Sequence, residues 1–155
     1  MKRNLRNTFR LWVAFLALMV FTASAPVQAQ VQEANAGRGG EPLDLNSLAV
    51  PGRVTLVDFY SPYCHPCVSL APLLEELAAK RSDLAVKKVN INRPGARGID
   101  WRSPLVQQHG IRSVPYFMIF DDKGKVMAHG KAATRQLKAW LRETGLLTGG
   151  ERGKR

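Results

Sequence analysis

Cysteine is scarce in this chain, which has only Cys64 and Cys67 among 155 residues. A scaffold stapled by several disulfides is thereby excluded, and two thiolates fall two ligands short of a structural zinc site. Histidine does not make up the shortfall, since His65, His109 and His129 show no metal-site spacing relative to the pair. Long apolar runs are lacking too: the strongest, Leu11 to Phe21, has 11 residues against the roughly 20 that a bilayer requires. No basic face interleaved with stacking aromatics can be picked out, so nucleic acid is not an expected partner. There is no internal repeat and no cofactor box, and acidic residues are outnumbered 12 to 23 by basic ones.

Lys2, Arg3, Arg6 and Arg10 precede the apolar run and small residues follow it, the layout of a secretory signal. Val27-Gln28-Ala29 suits a peptidase cutting before Gln30, whereas the rival Ala23-Ser24-Ala25 is followed by Pro26. Residues 1–29 are therefore expected to be a signal peptide. An uncleaved anchor running through Ala25 is the alternative and the one route to a membrane. Removing that segment takes 4 of the 23 basic residues and leaves 19 against 12 acidic ones, a formal +7. Such a balance favours acidic partners or surfaces and specifies nothing sharper.

Gly37, Gly39 and Gly40 mark residues 30–42 as a flexible leader, with the domain expected over 43–147 and a basic flexible tail over 148–155. The apolar run Arg53 to Tyr60 predicts a strand covered on both faces. A helix follows from Cys67 to Arg81, with Pro72 inside it and a kink expected there. Leu84 to Ile91 is a second strand and Asn92 to Arg102 a loop; Ser103-Pro104 and Gly110 bracket a short helix over 104–109. Tyr116 to Phe120 and Lys125 to His129 read as a hairpin around Asp121-Asp122-Lys123-Gly124. A helix over 134–144 closes the domain, giving an α/β fold whose mixed central sheet carries helices on both faces.

Cys64-His65-Pro66-Cys67 stands where the first long strand gives way to a helix. Positions i and i+3 of a helical turn lie roughly 5 to 6 Å apart, a span that a disulfide bridges without backbone movement. A loop this short gains only about 2 kcal/mol from chain entropy, against roughly 4 to 5 for about a hundred residues. Redox chemistry therefore explains the pair better than stapling, and an exported compartment is one where disulfides persist. At the helix N-terminus, unpaired N–H groups and the helix dipole favour a thiolate on an exposed Cys64, the expected nucleophile. Cys67 is then the resolving thiol. His65, confined beside the sulfur, can donate to the thiolate or carry charge near it; a solvated histidine is the plainer alternative.

From Val54 to the last helix the chain resembles a thioredoxin. The likeness is carried by Asp58 six residues before Cys64, Pro66 within the CxxC, Pro72 in the following helix, Ser113-Val114-Pro115 before the hairpin, and Gly130 after it. It implies a thioredoxin-like fold, with Asp58 exchanging a proton with Cys67. A carboxylate hydrogen-bonded for structure alone remains the rival role. The likeness also implies a cis bond at Val114-Pro115 and a substrate edge made of Tyr63, Pro66, Val114 and Pro115. Lys88 aligns with a lysine beside the buried aspartate. Tyr63 replaces the usual tryptophan, and the loop 93–102 is longer than in that family.

The expected function is an exported, periplasmic-type thiol-disulfide oxidoreductase that reduces protein disulfides. Its catalytic residues would be Cys64, Cys67, Asp58 and His65. It would need no cofactor beyond the redox-active Cys64–Cys67 disulfide and no metal. Its partners would be protein thiols and disulfides together with a redox partner, and the protein would act as a monomer. The alternatives are a disulfide oxidase or isomerase, and a redox-sensing or binding module without turnover.

Overall fold

A computed structural model describes residues 31–147; the expected signal segment and basic tail lie outside the described residues. In chain order the elements are β1 (Val31–Glu33), a 3-10 turn (Leu45–Leu48), β2 (Val54–Tyr60), α1 (His65–Lys80) and β3 (Leu84–Asn90). They are followed by α2 (Pro104–His109), β4 (Tyr116–Phe120), β5 (Val126–His129) and α3 (Gly130–Glu143). One sheet orders the strands β1-β3-β2-β4-β5, parallel across β1, β3 and β2 and antiparallel from β2 through β4 to β5.

β2 is central, and its alternate residues feed two cores, which is why its sequence is almost continuously apolar. Leu56 packs with Leu74 and Leu77 of α1 and with Leu137 and Trp140 of α3 on one side. Val57 and Phe59 pack with Leu105 and Val106 of α2 and with Ile111 on the other. The expected mixed sheet with helices on both faces is thus what forms. Pro72 is accommodated within α1, whose helical span continues to Lys80.

Two expectations need correction. Residues 31–42 are not a loose leader. Val31, Gln32 and Glu33 pair in register with Val86, Lys87 and Lys88 of β3. Beyond them, the Asn35 side chain donates to the Asn90 carbonyl at 2.8 Å and accepts from the Asn90 N–H at 2.9 Å. Glycine here serves close packing: a Cβ on Gly39 would lie 2.3 Å from the Asn92 carbonyl oxygen, and Gly40 has φ +73°. Gly40→Ala should cost about 1 to 3 kcal/mol, the scale of a forced left-handed conformation. Chemical denaturation of the two proteins checks this, and equal midpoints would restore the leader to a passive role.

The second correction concerns α3, which begins at Gly130 and not at Thr134. His129, at its N-cap, makes no side-chain capping bond, so the usual start signal is missing. Thr134, the expected first residue, instead donates through Oγ1 to the Gly130 carbonyl at 3.0 Å, one turn back inside the helix.

Candidate active site

β2 leads straight into the site. Its last residues give way to a turn in which Cys64 N–H donates to the Ser61 carbonyl at 3.0 Å, and Cys64 becomes the N-cap of α1. Pro66 in the first helical turn needs no N–H partner there, so the Cys-His-Pro-Cys order suits a helix start. Cys64 and Cys67 are joined by a disulfide with their Cα atoms 5.2 Å apart. The Cys67 N–H donates to Cys64 Sγ at 3.3 Å, placing a helix-end dipole against that sulfur and no other.

The bond between Val114 and Pro115 is cis, and the Val114 carbonyl oxygen lies 3.6 Å from Cys64 Sγ. Beside this loop Cys64 is only 4% exposed, and Cys67 is 2% exposed. The expected exposure of Cys64 is therefore corrected: what separates the two sulfurs is the N-cap position, since both are shielded. Around them, His65 and Pro66 are exposed, while Val114 and Pro115 are half-buried. Tyr63 is 52% exposed. Its hydroxyl donates to the Ala96 carbonyl at 2.5 Å, so the two departures from the family pattern, the tyrosine and the longer loop, touch each other. The loop is braced by Arg93, which pairs with Asp100 at 2.7 and 3.1 Å.

Asp58, on the α1 side of β2, is fully buried, and neither carboxylate oxygen has a hydrogen-bond partner. Burial pushes its carboxyl up from 3.8 to about 7, the Lys88 cation pulls it down, and Glu33 pushes it up. Lys88 is the register partner of Asp58 on β3, and its ammonium lies 4.2 Å from the centre of the Tyr60 ring. Tyr60 donates its hydroxyl to Glu33 Oε2 at 2.9 Å, leaving Oε1 of that glutamate buried without a partner. Burial and this bond hold the Tyr60 hydroxyl above the ordinary phenol range.

Sequence reasoning missed Glu33 and Tyr60. Glu33 sits in a three-residue strand, too short to show a period, next to glycines that signal a loop. Trp140 and Phe117 are core residues and Trp101 is an exposed loop residue. Among the described residues no group of three or more His, Cys, Asp or Glu side chains could hold a metal ion. No helix among them is long and apolar enough to cross a membrane.

A cysteine pair on one helical turn, with one sulfur capped by the helix N-terminus and facing the cis-proline loop, is a thiol-disulfide oxidoreductase centre. The thioredoxin family model matches residues 46–143, and the chain belongs to that family. Thioredoxin 1 of Synechococcus elongatus is 42% identical over 71 residues, covering 46% of this chain and 60% of that protein. A thioredoxin-like protein of Fusarium culmorum is 33% identical over 95 residues, covering 59% of this chain and 72% of its own. The fold is also that of thioredoxin F from spinach chloroplast (short form). That structure matches at a TM-score of 0.51 with 21% identity, over 78% of this chain and 97% of the other.

Proposed function

We propose that this protein is an exported, monomeric thiol-disulfide oxidoreductase that reduces disulfides in other proteins. The observation that carries the reading is the Cys64 sulfur, held at a helix N-terminus and facing the Val114 carbonyl edge. In the reduced protein, the Cys64 thiolate attacks one sulfur of a client disulfide. A Cys64–client disulfide forms as the client's second sulfur leaves as a thiolate. Cys67 gives its proton to Asp58 and attacks Cys64 Sγ. This forms the Cys64–Cys67 disulfide and releases the first client sulfur, so two electrons pass from the pair to the client. A separate dithiol partner returns the pair to its reduced form, and no further cofactor takes part.

Tyr63, Pro66, Val114 and Pro115 border the sulfur and form the edge on which an extended client segment would lie. Reduction is favoured by Pro66 before the second cysteine. The chain between β3 and α2 consists of the loop alone, with none of the large helical insertion of exported oxidases. Export is supported by the basic and apolar order of residues 1–29. Recovery of intact protein in washed membranes would instead favour an anchor.

Two measurements test direction and turnover. Insulin reduction with excess dithiol should proceed for many cycles; a single stoichiometric exchange would make the protein a sensor. Equilibration with glutathione should place the couple at about −240 to −205 mV, above a thioredoxin near −270 mV by the amount that His65 contributes. Because His65 is exposed, the expected value lies toward the lower end of that range. His65→Gly should lower it further, and a wild-type value near −120 mV would mark an oxidase.

A further inference from the structure

Glu33 has no part in the chemistry above, yet it shares a row with Asp58, which does. Across three neighbouring parallel strands, Glu33 stands opposite Lys88, and Lys88 stands opposite Asp58. One cation is therefore flanked by two carboxylates. Glu33 is held in place by the Tyr60 hydroxyl at 2.9 Å, and its other oxygen is buried without a partner. No hydrogen bond reaches the Asp58 carboxyl, so burial and neighbouring charges act on it without a bonded partner.

We propose that Glu33 is a positioning residue for the proton on Asp58: across the strand row its negative charge offsets Lys88 and favours the protonated form. Without that charge, burial alone would oppose Lys88, and Asp58 would give up its proton at a lower pH, leaving less of it to return to Cys67 when the cycle runs backward. The groups around Asp58 leave few rivals for this part. Lys88 of β3 and Tyr60 of β2 face it, and β4 presents Phe117 in register. The buried residues of α1 are Cys67, Leu74, Leu77 and Ala78, and those of α3 are Ala133, Leu137, Trp140 and Leu141. Cys67 is thus the only other titratable side chain these helices bury. Glu33 and Tyr60 also line an opening of about 410 Å³ shared with Asn35, Asn90 and Tyr63, whereas Asp58 is sealed. The Glu33 charge is consequently on the solvent side of the array.

The inference rests on the reading that Asp58 takes the Cys67 proton, and the test separates the two. Carboxyl carbon NMR of the full chain follows Asp58 directly in Glu33→Gln, Glu33→Ala and Glu33→Asp. Removing a like charge two strand spacings away, roughly 9.6 Å, should lower the Asp58 midpoint by about one pH unit in the first two variants. Glu33→Asp, which keeps the charge, should stay nearer the wild type. Two charge-deleting variants guard against one failing to fold, and an unchanged midpoint in whichever folds overturns the assignment. The pH profile for resolution of a Cys64 mixed disulfide is then recorded on the same proteins. A profile that moves down with the Asp58 midpoint supports both readings. A midpoint that moves while the profile stays still upholds the tie between Glu33 and Asp58 and removes Asp58 from the proton transfer.

Discussion

Cys64→Ser is expected to reduce catalysed disulfide reduction to the uncatalysed background, a loss of roughly a thousandfold or more. A serine at the N-cap still accepts the Cys67 N–H, so the helix start survives while the attacking sulfur is gone. Cys67→Ser should also stop turnover, but by a different route: Cys64 still attacks, and the client remains attached because nothing resolves the bond. Non-reducing gels should show an adduct for Cys67→Ser and none for Cys64→Ser. With the disulfide closed the two residues are shielded to about the same degree, 4% and 2% exposed, so exposure does not separate them. The N-cap hydrogen bond at 3.3 Å does. Alkylation of the reduced protein near neutral pH should therefore modify Cys64 first, and equal rates would sink the assignment.

Asp58→Asn should make the protein more stable and slower. The folded carboxyl titrates at about 7 and the free one at 3.8, chiefly because burial disfavours the charge. Between those values the unfolded chain has lost a proton that the folded chain keeps. The unfolded state thus binds fewer protons, and stability falls as pH rises across the window. Above about pH 7 the loss is complete and amounts to about 4 kcal/mol for a shift of this size. The amide cannot ionise, so the variant should gain up to about that much at pH 8 and little near pH 4. Denaturant midpoints at the two pH values measure the difference. A gain equal at both would mean that ionisation of Asp58 is not what the fold resists. The same variant should accumulate mixed disulfide with clients, because Cys67 has lost its proton acceptor.

What could be read from the chain alone follows from how local each signal is. β4 and α2 fall where sequence places them, because a continuous apolar run and a Ser-Pro start with a glycine stop are complete within a few residues. The cysteine pair, Asp58 and the Val114-Pro115 loop are likewise marked by residue types that few other roles need. β1 could not be found this way. Three residues cannot display a period, and Gly39 and Gly40 after it, which suggest slack, stand where the Ile91 to Arg93 backbone passes too close for a side chain. Glu33 was hidden for the same reason. Its partner Lys88 is more than fifty positions away in the chain, and only strand pairing brings the two together.

The loop from Asn92 to Asp100 is closed largely upon itself. Asn92 Nδ2 donates to the Gly98 carbonyl at 2.5 Å, and Arg93 clasps Asp100 at 2.7 Å. It touches the rim of the redox pair through the Tyr63 hydroxyl on Ala96. Such a unit can be lengthened, shortened or exchanged with its own brace intact, and the alteration reaches the disulfide only by re-aiming one aromatic ring. On the proposed reading, client preference and electron transfer would then vary separately, and new clients could be met by editing the loop while Cys64, Cys67 and Asp58 stay as they are.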